Sequence, residues 1–82
     1  MARRRGVGLV PATNVASEVT GSIWKLRVAP GDQVDSGQEL LVMESMKMEI
    51  PLFSPVGGTV SEVRVSEGDS VGEGEVLLVI ER

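Results

Sequence analysis

The sequence predicts an all-β fold in which two similar halves interlock around an approximate twofold axis. Three observations support this prediction: an internal repeat, an apolar set dominated by Val, Ile and Leu, and paired Gly-Asp turns at Gly31-Asp32 and Gly68-Asp69. No stretch keeps a helical period of about 3.6 residues over three turns, so strands are favoured throughout. The 82 residues form one small domain that is too small for a deeply enclosed site.

The repeat relates residues 21–44 to residues 58–81 without a gap, at an offset of 37. "GSIWKLRVAPGDQVDSGQELLVME" aligns with "GTVSEVRVSEGDSVGEGEVLLVIE", and eleven of the twenty-four positions are identical. Upstream, Ser17 falls on Ser54, so the repeat covers close to the whole folded length. Because neither half can bury its apolar face alone, we expect two interlocked sheets.

Residues 1–12, "MARRRGVGLVPA", predict a disordered basic tail, and residues 13–82 predict the folded domain. The tail starts like a signal peptide, but its apolar part is too short and no cleavage pattern follows. The domain carries five basic and twelve acidic residues, which argues against nucleic acid as a partner. The longest apolar runs, such as residues 76–80, cannot span a bilayer, so we expect a cytoplasmic protein that does not bind membranes.

In the first half the apolar spacing departs from strict alternation. Ile23, Leu26 and Val28 step by three and then by two, and the same steps recur in the second half. This spacing predicts a β-bulge near Trp24 and Lys25. Trp24 aligns with a serine in the second half, so we expect its indole to be substantially exposed.

A tight hairpin is predicted between the strand at residues 40–44 and the strand at residues 48–52. Its turn comprises Ser45, Met46, Lys47 and Met48. Such turns normally use Asn-Gly or Asp-Gly because central residues need positive φ, and Met or Lys there costs on the order of 1 kcal/mol. A hairpin tip cannot bury both methionines, so the turn is expected to present a side chain. The twofold relation places this tip at one end of the barrel and both chain termini at the other.

The residue types exclude several kinds of chemistry. The chain has no cysteine and no histidine, which removes disulfides, thiolate nucleophiles, imidazole bases and the usual zinc ligand sets. The runs "GVG" and "GEGE" lack the Walker pattern and its strand-loop-helix context. We therefore predict no catalytic residue, no metal site and no nucleotide site, so the chain is expected not to be an enzyme itself.

The motif "ESMKM", residues 44–48, within this repeat resembles the attachment site of the biotinyl domain family, whose usual signature is Glu-Ala-Met-Lys-Met. The resemblance covers residues 14–82 and departs at Ser45, a small change that we expect to leave modification intact. It implies a flattened β-barrel, a barrel-sandwich hybrid of two interlocked four-stranded sheets. The gapless repeat leaves no room for the inserted "thumb" of some members, so the thumbless kind is the closer match.

The resemblance further implies that the chain is a biotin carboxyl carrier with biotin attached to Lys47. A biotin protein ligase would activate biotin as its adenylate, and the lysine amine would attack it. A biotin carboxylase would then load CO₂ on the ring, and a carboxyltransferase would pass it to an acyl-CoA or related acceptor. Met46, Met48, Glu44 and Ser45 would form the recognition motif, Glu44 together with Glu49 acting through charge.

Three alternatives stand beside this interpretation. Lipoyl domains share the fold but usually carry Asp-Lys-Ala, so Met46 and Met48 favour biotin over lipoate or over a dual carrier. An unmodified barrel of a membrane-adaptor protein predicts long helical or apolar flanks. An independent enzyme requires an acid/base pair or a metal set that the sequence does not show.

Overall fold

The structure is a computed structural model that describes residues 11–82. The predicted basic tail lies almost wholly outside the described residues. The described part of the chain forms eight β-strands: β1 (Ala12–Ala16), β2 (Gly21–Leu26), β3 (Gln33–Val34), β4 (Glu39–Ser45), β5 (Met48–Phe53), β6 (Gly58–Val63), β7 (Ser70–Val71) and β8 (Val76–Glu81). Within these residues no helix is long and apolar enough to cross a membrane.

The strands form two four-stranded antiparallel sheets, with the orders β1-β8-β6-β3 and β5-β4-β2-β7. The sequence offset of 37 converts one sheet into the other, since β1 corresponds to β5, β2 to β6, β3 to β7 and β4 to β8. The prediction of an all-β fold with two interlocked four-stranded sheets and an internal twofold repeat is therefore confirmed.

The two halves interlock through backbone hydrogen bonds between the Gly-Asp turn of one half and a strand of the other. The N–H of Ile23 donates to the carbonyl of Asp69 at 2.9 Å, and the N–H of Gly68 donates back to Ile23 at 2.7 Å. In the repeat-related position, the N–H of Val60 donates to the carbonyl of Asp32 at 2.8 Å. The N–H of Gly31 donates back to the carbonyl of Val60 at 2.7 Å. Each half therefore completes the hydrogen bonding of the other.

Aliphatic side chains fill the space between the sheets, as the composition predicted. The largest fully buried side chains are Ile23, Leu40, Leu41, Met43, Val60, Leu77, Leu78 and Ile80. Burying one such side chain is worth about 1.5 to 3 kcal/mol, so this cluster is the main source of stability. The two aromatic residues lie outside it, with Trp24 43% exposed and Phe53 53% exposed.

The predicted bulge is present in both halves. The register between β2 and β4 shifts between Ile23 and Lys25, and the register between β6 and β8 shifts at the equivalent place. Trp24 lies at the bulge with its indole exposed, as predicted, and the Nζ of Lys25 lies 5.4 Å from the centroid of its ring. A cation at this distance is attracted by the electron-rich face of the ring.

Gly21 brings β2 into close contact with the end of β4. A methyl group on Gly21 would collide with the carbonyl oxygen of Glu44 and would lie 3.2 Å from the Cβ of Ser45. Gly58 stands in the same relation to the carbonyl oxygen of Glu81. The glycine that starts each central strand is therefore required by packing.

Replacing this glycine tests that requirement. Gly21→Ala is expected to lower the free energy of unfolding by about 1 to 3 kcal/mol, because the backbone of β4 must move to admit the methyl group. Gly72→Ala is the matched control, since a methyl group there meets no atom within 4 Å and φ is not positive. Urea unfolding of both variants measures the difference, and equal effects would contradict the close-contact interpretation.

Candidate functional site

The hairpin between β4 and β5 has a two-residue turn made of Met46 and Lys47. Strand β4 ends at Ser45, β5 begins at Met48, and these two residues face each other across the stem. The φ angles are 51° at Met46 and 65° at Lys47, the only positive φ values of non-glycine residues within residues 11–82. The predicted strained turn is confirmed, and positive φ at both central positions is the mark of a type I′ hairpin.

The stem below the turn fixes its register. Met43 pairs with Ile50 across the two strands, and the Met43 side chain is only 2% exposed. A shift by one residue would turn this buried side chain outward. A change of strand register therefore cannot relax the turn at low cost. Met46 and Lys47 are held in the left-handed backbone conformation.

The side chains at the tip point into solvent. Met46 is 92% exposed and Met48 is 64% exposed, and Lys47 is also exposed. Methionine is an apolar residue that is usually buried, as Met43 is in the neighbouring strand β4. The two tip methionines do not serve the domain's own core, as predicted from the sequence.

Lys47 differs from the second lysine of the chain. Lys25 lies in the body of the sheet against the ring of Trp24, whereas Lys47 projects from a turn. Both ion pairs found within residues 11–82 use arginine as the cation, Arg27 with Glu39 and Arg64 with Glu62. Both lysines are exposed, and Lys47 is the one that lies in the turn of a hairpin.

Ser45 has a structural role that the sequence did not reveal. Its hydroxyl donates a hydrogen bond to the carbonyl of Thr20 at 2.8 Å, next to the close contact made by Gly21. The hydroxyl oxygen of Thr20 in turn accepts a hydrogen bond from the N–H of Glu73 at 3.3 Å. These bonds connect the hairpin stem to a loop of the other half. The motif gave no signal for them, because Thr20 and Glu73 lie far away in sequence.

Two glutamates flank the tip on paired strands. Glu44 and Glu49 occupy directly opposite positions in β4 and β5, and both are exposed. Like charges directly opposite each other destabilise a strand pair. The structure thus brings together all of the predicted motif residues at the tip, with a patch of negative charge beside a single cation.

Pro11 and Arg82 lie at the position that the repeat equates with the hairpin. The N–H of Arg82 donates to the carbonyl of Pro11 at 3.0 Å, and these residues are the repeat mates of Ser45 and Met48. The twofold relation therefore places Pro11 and Arg82 at the end of the domain away from Lys47, whereas the N-terminus of the prediction lies outside the described residues.

A compact β domain that holds one exposed lysine on a strained hairpin, away from its termini, has the form of an attachment domain. Residues 9–80 match the family model described as "Biotin-requiring enzyme", the biotin/lipoyl family. The chain belongs to this family, and the predicted resemblance is confirmed.

Individual relatives agree with this assignment. The chain is similar to the biotin/lipoyl attachment protein of Bacillus subtilis, with 50% identity over 38 residues, which are 46% of this chain and 52% of that protein. The chain thus spans about half the length of that relative. It is also similar to the mitochondrial propionyl-CoA carboxylase alpha chain of Caenorhabditis elegans, with 53% identity over 38 residues, 46% of this chain and 5% of that one.

Among solved structures, the fold is similar to part of a single-chain, multi-domain long-chain acyl-CoA carboxylase. The TM-score is 0.82 at 30% sequence identity, and the match covers 98% of this chain and 8% of the carboxylase. The similarity thus extends over nearly the whole domain, and a domain of this fold occurs within a much larger carboxylase chain.

The strain in the turn can be measured by changing each lysine to glycine. Lys47→Gly is expected to raise the free energy of unfolding by about 1 kcal/mol, because glycine adopts positive φ without a steric penalty. Lys25→Gly makes the same chemical change at a negative φ within a strand, and it should lower stability by about 0.5 to 1 kcal/mol. Urea unfolding of both variants gives the comparison, and a destabilised Lys47→Gly would contradict the strained geometry.

Proposed function

We propose that the chain carries biotin covalently on Lys47 and acts as the mobile carboxyl carrier of a biotin-dependent carboxylase. Its partners are then a biotin protein ligase, a biotin carboxylase and a carboxyltransferase. The observation that carries this proposal is the exposed Lys47 in the strained turn between two exposed methionines, in a chain of the biotin/lipoyl family. The carboxylases among its relatives support the assignment to that class of enzyme.

The geometry of the tip suits ligation. The neutral amine of Lys47 attacks the carbonyl carbon of biotinyl adenylate, the C–N bond forms, and the C–O bond to AMP breaks. One proton leaves the ammonium group to a base on the ligase or to water before the attack, and a second leaves the nitrogen to the same base or to water as AMP departs and the amide forms. Because the tip projects from the sheet, the adenylate can approach without any movement of the core. Met46 and Met48 offer apolar contact to the ligase and to the arm.

After ligation, the domain contributes to the reaction by positioning the attached biotin. When bound, biotin supplies a ureido nitrogen that holds CO₂ as a carboxyl group between two active sites. The tether through Lys47 keeps that group at an effective concentration of roughly millimolar at both sites. Pro11 and Arg82 lie away from the tip, so they do not restrict the movement of the arm. We propose an acyl-CoA or related compound as the final acceptor.

Lipoate is a second candidate cargo. The relative from Bacillus subtilis is named as an attachment protein for both biotin and lipoyl groups. Both cofactors form the same amide with a lysine amine, so the backbone of the tip is compatible with either. The two methionines beside Lys47 are the feature that favours biotin.

Intact mass after incubation with biotin, ATP and a biotin protein ligase tests the proposal. We expect the mass of one biotinyl group on the wild type and on Lys25→Arg, and no addition on Lys47→Arg. Arginine keeps the charge and length while removing the nucleophilic amine. An addition that persists in Lys47→Arg, or one that forms only with a lipoate ligase, would contradict biotin on Lys47.

The acidic pair at the tip is expected to help recognition by a ligase. Glu44→Lys should slow ligation by roughly tenfold at low salt and by less at high salt, because steering by exposed charges is screened. The same change should raise stability slightly, since it replaces the repulsion from Glu49 with attraction.

Glu81→Lys is the matched control for this experiment. Glu81 holds the repeat-related position in β8 at the opposite end of the domain. Initial ligation rates at two salt concentrations should be unchanged by Glu81→Lys. An unchanged rate for Glu44→Lys, or equal slowing in both variants, would show that Glu44 has no recognition role.

A further inference from the structure

An open groove of about 610 Å³ lies immediately beside the hairpin tip. Three segments line it: residues 20–22 at the start of β2, residues 44–46 at the end of the hairpin stem, and residues 70–72 of the other half. Met46, the residue before Lys47, forms part of its rim. The groove therefore begins one residue away from the proposed attachment point.

The groove presents a row of polar side chains across three strands. Strand pairing places Glu44 beside Ser22 and Ser22 beside Ser70. With neighbouring strands about 4.8 Å apart, this row spans about 10 Å. The hydroxyls of Ser22 and Ser70 can donate to a carbonyl oxygen, and the carboxylate of Glu44 can accept from N–H groups. A cyclic urea has a carbonyl oxygen that accepts hydrogen bonds and N–H groups that donate them. The hydroxyls and the carboxylate of this row therefore complement a cyclic urea.

Gly72 keeps one wall of the groove free of side chains, and the backbone does not require glycine there. Its φ is not positive, and a Cβ added to it would meet no atom within 4 Å. The repeat supplies a second indication, because the equivalent position in the first half is Asp35. The fold thus accepts a side chain at this position, and glycine has the effect of leaving the groove open.

We propose that this groove is a seat for the bicyclic ureido ring of the biotin attached to Lys47 of the same chain. The inference rests on the proposed function and adds a binding site on the carrier itself. The methylene chain of lysine and the valeryl chain of biotin together form a flexible arm that can fold back over Met46. Ser22 and Ser70 then bind the ureido oxygen, and Glu44 accepts from a ring N–H.

The seat does not need to be deep, because its ligand is tethered. An effective concentration of roughly millimolar fills half of the seats even when the free ring would bind with a Kd of about 1 mM. The same weakness lets the ring leave quickly for an active site. An open, mostly solvent-exposed groove is compatible with such transient occupancy.

Amide chemical shifts of the ¹⁵N-labelled domain before and after enzymatic biotinylation test the seat. We expect shift changes at Ser70, Val71 and Gly72, which are far from Lys47 in sequence, in addition to changes at residues 45–49. Gly72→Leu fills the groove and should abolish the distant changes. Asp35→Leu makes the equivalent change in the other half and should retain them.

A second pair of variants covers the case in which Gly72→Leu does not fold. Ser70→Ala removes one donor from an exposed position and should reduce the distant shift changes, whereas its repeat mate, Gln33→Ala, should not. Changes confined to residues 45–49 in a sample whose mass shows full biotinylation would overturn the seat alone. A sample that takes up no biotin would overturn the proposed function together with the seat.

Discussion

The fold depends on the exchange of backbone hydrogen bonds between its two halves. The Gly-Asp turn of each half bonds to the central strand of the other, at Ile23 and at Val60, and both of these side chains are 1% exposed. A half without its mate would leave backbone groups unpaired at an apolar position, which costs more than the pairing itself contributes. The two halves can therefore reach their native form only together, and the position of the hairpin follows from this mutual support.

The strained turn is stable because the stem leaves it no alternative. Gly21 lets β2 approach the carbonyl of Glu44, the hydroxyl of Ser45 binds Thr20, and Met43 is locked in the core. These contacts are worth several kcal/mol together, whereas positive φ costs on the order of 1 kcal/mol at each of the two residues Met46 and Lys47. The rigid body of the domain thus supports a conformation that an isolated hairpin with Met and Lys at its centre would avoid.

Much of this arrangement could be predicted from the sequence because the repeat carries long-range information. The offset of 37 indicated which strands are equivalent, and the apolar spacing indicated the bulge at Trp24. The hairpin turn followed from the small number of residues between two strands. The Ser45 to Thr20 bond could not be predicted, because it joins residues 25 positions apart. The groove could not be predicted either, since it depends on residues 20–22 lying beside residues 70–72. Periodicity reveals which face a residue occupies, but it does not reveal which distant loop lies opposite.

Comparing repeat-related positions in the two halves shows which residues the fold requires and which it does not. Positions that both halves keep, such as Gly21 with Gly58, have a steric reason in each copy. At other positions one half shows that the fold accepts a different residue: Asp35 stands where the second half has Gly72, and Ser61 stands where the first has Trp24. Gly72 and Trp24 are therefore not demanded by the architecture. Trp24 belongs to the sheet that carries the hairpin, and Gly72 lines the groove beside it.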